Sequence, residues 1–458
     1  MIRRPLFTRL LRPVGAACTA LALVGCGGGG GDNPTAPAAS CSVADQQAWL
    51  GNYMNDWYFW YRLSPRPAAS GFNSVEAYFD ALLYTGTNAS FPSDRWSGSQ
   101  STESFNRFYG DGATLGYGVA VNGIEVDGVS TRALYVRYVE PGSPAAVQGV
   151  QRGDQILSLN GLSAASVVAA DDYSVLSPAQ AGDTLSLVLR RAGSDRSVAL
   201  NAAVYNLNPV QGVTVQTSPR GRRVGYLQVK DMIGQALTPL DAAFSQFRTA
   251  GVQDLVLDLR YNGGGLVSTG GTLASYIAGA RGAGLTYASL LYNDKRAGAN
   301  NQSYGFSQPS AALGLPRVYV LTGPRTCSAS EQVVNGLRGA GVEVVTVGDT
   351  TCGKPVGFLP SSSCGRTYSV VNFESVNQRN EGRYFDGFQA SCPVAEDFSA
   401  AQGSAADPLM STALRHADIG ACFTTAEGER AVPLAARRPA ARTRLAVEPG
   451  ENRGMIPR

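Results

Sequence analysis

Basic side chains other than arginine are nearly missing from this sequence. Its 458 residues include three lysines (Lys230, Lys295 and Lys354) and a single histidine, His416. A serine–histidine–acid triad would have to draw on that one histidine, close to the C-terminal end, so this chemistry is not expected. Zinc is not expected either, because no C-x-x-C pair exists and His416 stands alone. Long apolar runs are scarce as well: beyond residues 16–24 none is long enough to cross a membrane as a helix. Charged residues make up 16% of the chain, and much of the net charge of +3 comes from arginines at its two ends. With no basic stripe between them, nucleic acid is excluded as a partner. The segment Gly348-Asp349-Thr350-Thr351-Cys352-Gly353-Lys354-Pro355 nearly spells a phosphate-binding loop, but Pro355 replaces the hydroxyl that would hold magnesium. No cofactor and no metal are therefore expected.

What is present starts with an export signal. Arg3, Arg4, Arg9 and Arg12 precede the apolar run, which ends in Leu23-Val24-Gly25-Cys26. Small residues before a cysteine are read by a lipoprotein signal peptidase. Residues 1–26 are thus expected to be a lipoprotein signal with Cys26 as the lipidation site, facing the periplasm of a bacterial envelope. Residues 27–40, rich in glycine, proline and alanine, would be a flexible tether. Six further cysteines, Cys41, Cys327, Cys352, Cys364, Cys392 and Cys422, suit disulfides in an exported chain. Fifteen pairings are open to them. Cys352–Cys364 is the most local, and Cys41–Cys422 would tie the ends of the globule together.

Residues 41–105 place Trp49, Tyr53, Trp57, Trp60 and Tyr61 at helical spacings, predicting a small N-terminal helical domain packed by its own rings. From there the pattern turns to strands. Leu115-Gly116-Tyr117-Gly118-Val119, Pro141-Gly142-Ser143-Pro144-Ala145-Ala146 and Gly153-Asp154-Gln155-Ile156-Leu157-Ser158-Leu159-Asn160-Gly161 follow in order. This series resembles a bacterial protease-type PDZ domain over 106–207. The resemblance implies that Tyr117, Gly118 and Val119 form the loop holding a peptide's terminal carboxylate, with the adjoining strand edge accepting the peptide.

Residues 208–422 alternate strand and helix, predicting an α/β layered domain with mostly parallel pairing. Three segments fall where such sheets place ligands, at strand C-terminal ends. They are Tyr261-Asn262-Gly263-Gly264-Gly265, Thr326-Cys327-Ser328-Ala329-Ser330-Glu331, and Gly353-Lys354, with Lys354 26 positions after Ser328. Ser328 with Glu331 also fits a helix cap, a reading that leaves the glycine run and the lysine unexplained. A serine hydroxyl needs a base. A lysine supplies one only when neutral, which burial among groups such as Val356 and Phe358 favours. The oxyanion formed on attack needs donors. The backbone N–H of Ala329 and that of Gly264 or Gly265 are suited to the role. Residues 423–458 lack periodicity and are expected to be a mobile tail.

Asp258-Leu259-Arg260-x-Asn262-Gly-Gly-Gly, Ser328-Ala329-Ser330-Glu331 and Gly353-Lys354 together resemble the carboxyl-terminal processing (tail-specific) serine peptidases. The resemblance covers about 110–400. It implies a ClpP–crotonase-like α/β core with an inserted PDZ domain, Ser328 as nucleophile and Lys354 as general base. It also implies protein or peptide substrates with accessible C-terminal tails. Two departures stand out. The serine-to-lysine spacing is one residue longer than the resemblance leads one to expect, with Gly339-Ala340-Gly341 as the place for the extra residue. Phe358 also stands where a glutamine would orient the lysine, which leaves Glu331 or Glu374 for that task. An inactive peptide-binding scaffold is the rival reading. The oligomeric state is not encoded in any of these motifs.

Overall fold

The structure is a computed structural model and describes residues 37–123, 130–423 and 454–457. The export signal, Cys26 and most of the tether lie outside the described residues, as do 424–453. Among the described residues no helix is long and apolar enough to cross a membrane.

A six-stranded sheet forms the centre of the α/β core. Its order is Val210–Thr217, Arg223–Val229, Asp254–Asp258, Arg317–Thr322, Glu343–Gly348 and Cys392–Pro393. The first pair is antiparallel and the rest are parallel. Strands such as Asp-Leu-Val-Leu-Asp at 254–258 are buried along their whole length, as parallel strands covered on both faces must be. Helices Leu237–Thr249, Val267–Ala278, Ala329–Gly339 and Pro408–Ile419 belong to this α/β part of the chain. A second, four-stranded sheet runs Gln302–Gly305, Thr286–Tyr292, Val371–Val376, Val356–Phe358.

The PDZ part has its own core, including Val121, Leu134, Val136, Ile156, Leu187 and Leu189. Its main sheet runs Val119–Val121, Leu134–Val139, Gln155–Leu159, Thr184–Arg191, Ser194–Asn201. Val119–Val121 therefore lies at the sheet's edge.

The N-terminal rings depart from expectation. Helix Val43–Trp57 ends before Trp60 and Tyr61, and its aromatics do not close a core of their own. They join the cluster that also holds Val356, Phe373 and Leu290. Trp49 lies 5.3 Å from the Tyr368 ring, centroid to centroid. The reason is size: about 60 residues bury too little surface to stand alone, so they pack onto the larger body.

Among the described residues three disulfides form, and neither pairing singled out in the sequence is among them. The bridges are Cys41–Cys364, Cys327–Cys352 and Cys392–Cys422. Cys352 is drawn to Cys327 because both flank the same strand ends, a proximity that sequence separation does not reveal. The tail expectation is also corrected in part. Residues Met455–Ile456 form a strand parallel to Gly265–Leu266 and are buried.

Candidate active site

Strand Arg317–Thr322 delivers the chain into a turn that opens helix Ala329–Gly339, and Ser328 sits on that turn with φ +61°. Positive φ is uncommon for a residue with a side chain and marks a position held by its surroundings. Those surroundings are identifiable. The Cys327 N–H donates to the Asn262 carbonyl at 3.1 Å, and the Ser330 hydroxyl donates to the same oxygen at 3.0 Å. Ser328 is fully buried, and among the described residues its hydroxyl makes no hydrogen bond.

Glu331, expected as a cap or as an orienting partner, organises both sides of the site. One of its carboxylate oxygens accepts the Ser328 N–H at 3.0 Å and the Lys354 N–H at 2.8 Å. The other accepts Gly353 N–H at 2.8 Å and the Thr351 hydroxyl at 2.5 Å. Burial pushes the Glu331 carboxyl pKa up, against the four donors, which pull it down. Glu331 thus fixes the backbone on which Lys354 is carried. The Cys327–Cys352 bridge adds a covalent tie, its two Cα atoms 5.2 Å apart. The residue before Ser328 is joined to the residue two before Lys354. Glu374 is engaged elsewhere, accepting Arg383 Nε at 2.8 Å and Nη2 at 3.1 Å.

Lys354 is 1% exposed, and its Nζ lies 3.8 Å from the centre of the Phe358 ring. The residue standing in for the expected glutamine is therefore an aromatic face against the amine.

The glycine run comes in beside the serine. Gly264 and Gly265 have φ of +114° and +139°, and a side chain on Gly264 would lie 2.9 Å from Ser328 Cβ and 3.1 Å from the Ala329 nitrogen. Their N–H groups point differently. That of Gly264 donates to Asn262 Oδ1 at 2.8 Å, whereas that of Gly265 donates to the Gly454 carbonyl at 2.5 Å. The Ala329 N–H opens a helix, where the first N–H groups have no intrahelical acceptor. Asn262 was quoted in the motif but given no task. Its side chain bridges the Val229 carbonyl and the Gly264 N–H, fixing the glycine turn to the end of strand Arg223–Val229. A buried asparagine directly before three glycines was the available signal. The Asp258 and Arg260 of the motif are structural: the buried Arg260 pairs with Asp258 at 2.9 Å and Asp407 at 2.6 Å.

In the PDZ part, Tyr117 is buried and Gly118 has φ +78°, where a side chain would collide with Ser143. The Tyr117 and Gly118 carbonyls accept from Ala145 and Glu140 at 2.9 Å each, which fixes the turn leading into the edge strand at Val119.

Known proteins align with this arrangement. The sequence profile of peptidase family S41 matches residues 223–362, that of the peptidase S41 N-terminal domain matches 45–98, and that of a PDZ domain matches 135–191. A carboxyl-terminal-processing protease of a Picosynechococcus species is 28% identical over 272 residues, 58% of this chain and 61% of that relative. The chain thus spans about six tenths of that relative's length. The crystal structure of a putative S41 protease from Bacteroides fragilis superposes with a TM-score of 0.62 at 28% identity, covering 81% of this chain and 97% of that one. The photosystem II D1 C-terminal processing protease shares the fold, with a TM-score of 0.50 at 19% identity over 82% of this chain and 99% of that one. Core, inserted PDZ domain and N-terminal helices all agree: the chain has the S41 peptidase fold and carries an S41 peptidase domain, the S41 N-terminal domain and a PDZ domain.

Proposed function

We propose that the chain is an envelope-anchored serine endopeptidase that hydrolyses peptide bonds in proteins recruited by their C-terminal tails. The observation that carries this reading is a buried, unpartnered serine hydroxyl on a strand-to-helix turn, with Glu331 and a disulfide tying its backbone to that of Lys354. In this reading neutral Lys354 takes the Ser328 proton as Oγ attacks the substrate carbonyl. The N–H groups of Gly265 and Ala329 hold the oxyanion. Lys354 then returns the proton to the leaving amine, and water hydrolyses the acyl-enzyme. The edge strand at Val119–Val121 suits addition of a substrate tail, with Tyr117, Gly118 and Val119 at its carboxylate end. The export signal and Cys26 support a lipid anchor at the periplasmic face, and three disulfides suit an oxidising compartment.

The test is cleavage of an unfolded protein by the purified globule, wild type against Ser328→Ala. Cleavage by wild type alone is expected. Equal cleavage by both overturns the assignment of Ser328, and none by either favours the inactive peptide-binding scaffold.

A further inference from the structure

The chain's own residues 454–456 occupy the groove beside Ser328. Met455 and Ile456 add as a parallel strand to Gly265 and Leu266, the pairing mode by which extended peptides bind sheet edges. The Gly454 carbonyl oxygen accepts the Gly265 N–H at 2.5 Å. That oxygen, Ser328 Cβ and the Ala329 nitrogen all crowd the one point where a side chain on Gly264 would begin. The carbonyl thus lies beside the Ser328–Ala329 turn and takes a hydrogen bond from the Gly265 N–H, one of the two backbone donors named above. It belongs to a peptide bond whose amine is that of Met455, not to a terminal carboxylate.

The flanking side chains are seated as a ligand's would be. Met455 is fully buried, and its sulfur accepts from Gln332 Nε2 at 3.6 Å. Ile456 enters a pocket formed by Phe105, Phe108, Tyr109, Ile233 and Leu266. At position 454 any side chain would strike the Tyr109 hydroxyl, so only glycine fits.

From this geometry we infer that the chain is its own substrate, cut between Gly454 and Met455. The inference rests on the peptidase reading above. The Ser328 hydroxyl gives its proton to the neutral Lys354 amine while Oγ bonds to the Gly454 carbonyl carbon. The ammonium passes the proton to the Met455 nitrogen as the C–N bond breaks, and the segment beginning at Met455 leaves with a free amine. One water, deprotonated by Lys354, then hydrolyses the Ser328 ester, leaving Gly454 as a carboxylate. The same contacts define a preference: glycine before the cut bond, with two apolar residues after it.

Intact-mass measurement of wild type, Ser328→Ala and Gly454→Val tests the inference, with cleavage of an added unfolded protein assayed in parallel. The expected result is loss of the residues after Gly454 in wild type alone, while Gly454→Val keeps them and still cuts the added protein. Wild type that digests the added protein yet keeps Met455 overturns self-cleavage and leaves the peptidase reading standing. Loss of the same residues in Ser328→Ala, or a cut at another bond, also overturns it. If neither the tail nor the added protein is cut, both readings fall.

Discussion

Two of the three lysines are buried, and the contacts around them differ. Lys230, 7% exposed, lies where the PDZ part meets the core, with Nζ 3.7 Å from the Glu140 carboxylate and 3.6 Å from that of Asp231. Lys354 lies over the Phe358 ring. Carboxylates hold a lysine in its charged form, while an aromatic face is the weaker partner, worth about 0.5–2 kcal/mol. Burial alone does not mark a catalytic lysine. In the proposed mechanism Lys230 is the fixed cation and Lys354 the group that passes a proton on.

Exchanging the two losses breaks the comparison most sharply. Lys354→Ala is expected to lower kcat/KM on an unfolded protein by about 10²–10⁴-fold, the usual worth of a general base, with the melting temperature little changed. Lys230→Ala leaves Glu140 and Asp231 buried without their cation. It should cost about 3–5 kcal/mol of stability in denaturant unfolding, with turnover per folded molecule retained. Similar activity losses in both would erase the distinction.

A smaller effect is expected from Glu331→Gln, which turns an amide N–H₂ toward donors that now meet an oxygen. Unsatisfied donors cost about 1–3 kcal/mol, and kcat should fall because the turn carrying Ser328 loosens. A kcat equal to wild type in a properly folded variant would show that the disulfide alone holds the site.

The mildest test concerns pH. Burial pushes the Glu140 carboxyl up to about 7, against the pull of Lys230. Between its ordinary value of 4.5 and about 7 the folded chain holds a proton that the unfolded chain has lost. Stability from this group therefore falls as pH rises through that window. Glu140→Gln should flatten that part of a melting-temperature profile, and an unchanged slope would assign it to other groups.

That Ser328, Lys354 and the glycine run lie close to strand ends was legible because each sits in a short segment of distinctive residue types. Asn262 and the joint task of Glu331 were not, since both act through backbone groups that a motif does not display. Phe358 read as a defect until the ring was seen beneath the amine. The disulfides depend on which strand ends are neighbours, and the tail strand depends on a groove made by residues some 190 positions earlier. Both are long-range facts that local periodicity cannot carry. The N-terminal rings were correctly placed in a core, but the core belonged to the peptidase body.

In the proposed mechanism the Cys327–Cys352 bridge also bears on when the site is complete. It joins the two segments that carry Ser328 and Lys354, and a bond of this kind forms in oxidising compartments and not in a reducing cytoplasm. On the reading proposed above, a newly made chain would carry Ser328 and Lys354 without the staple between their segments until it meets an oxidising environment. Hydrolytic power would, on that reading, arrive with oxidation.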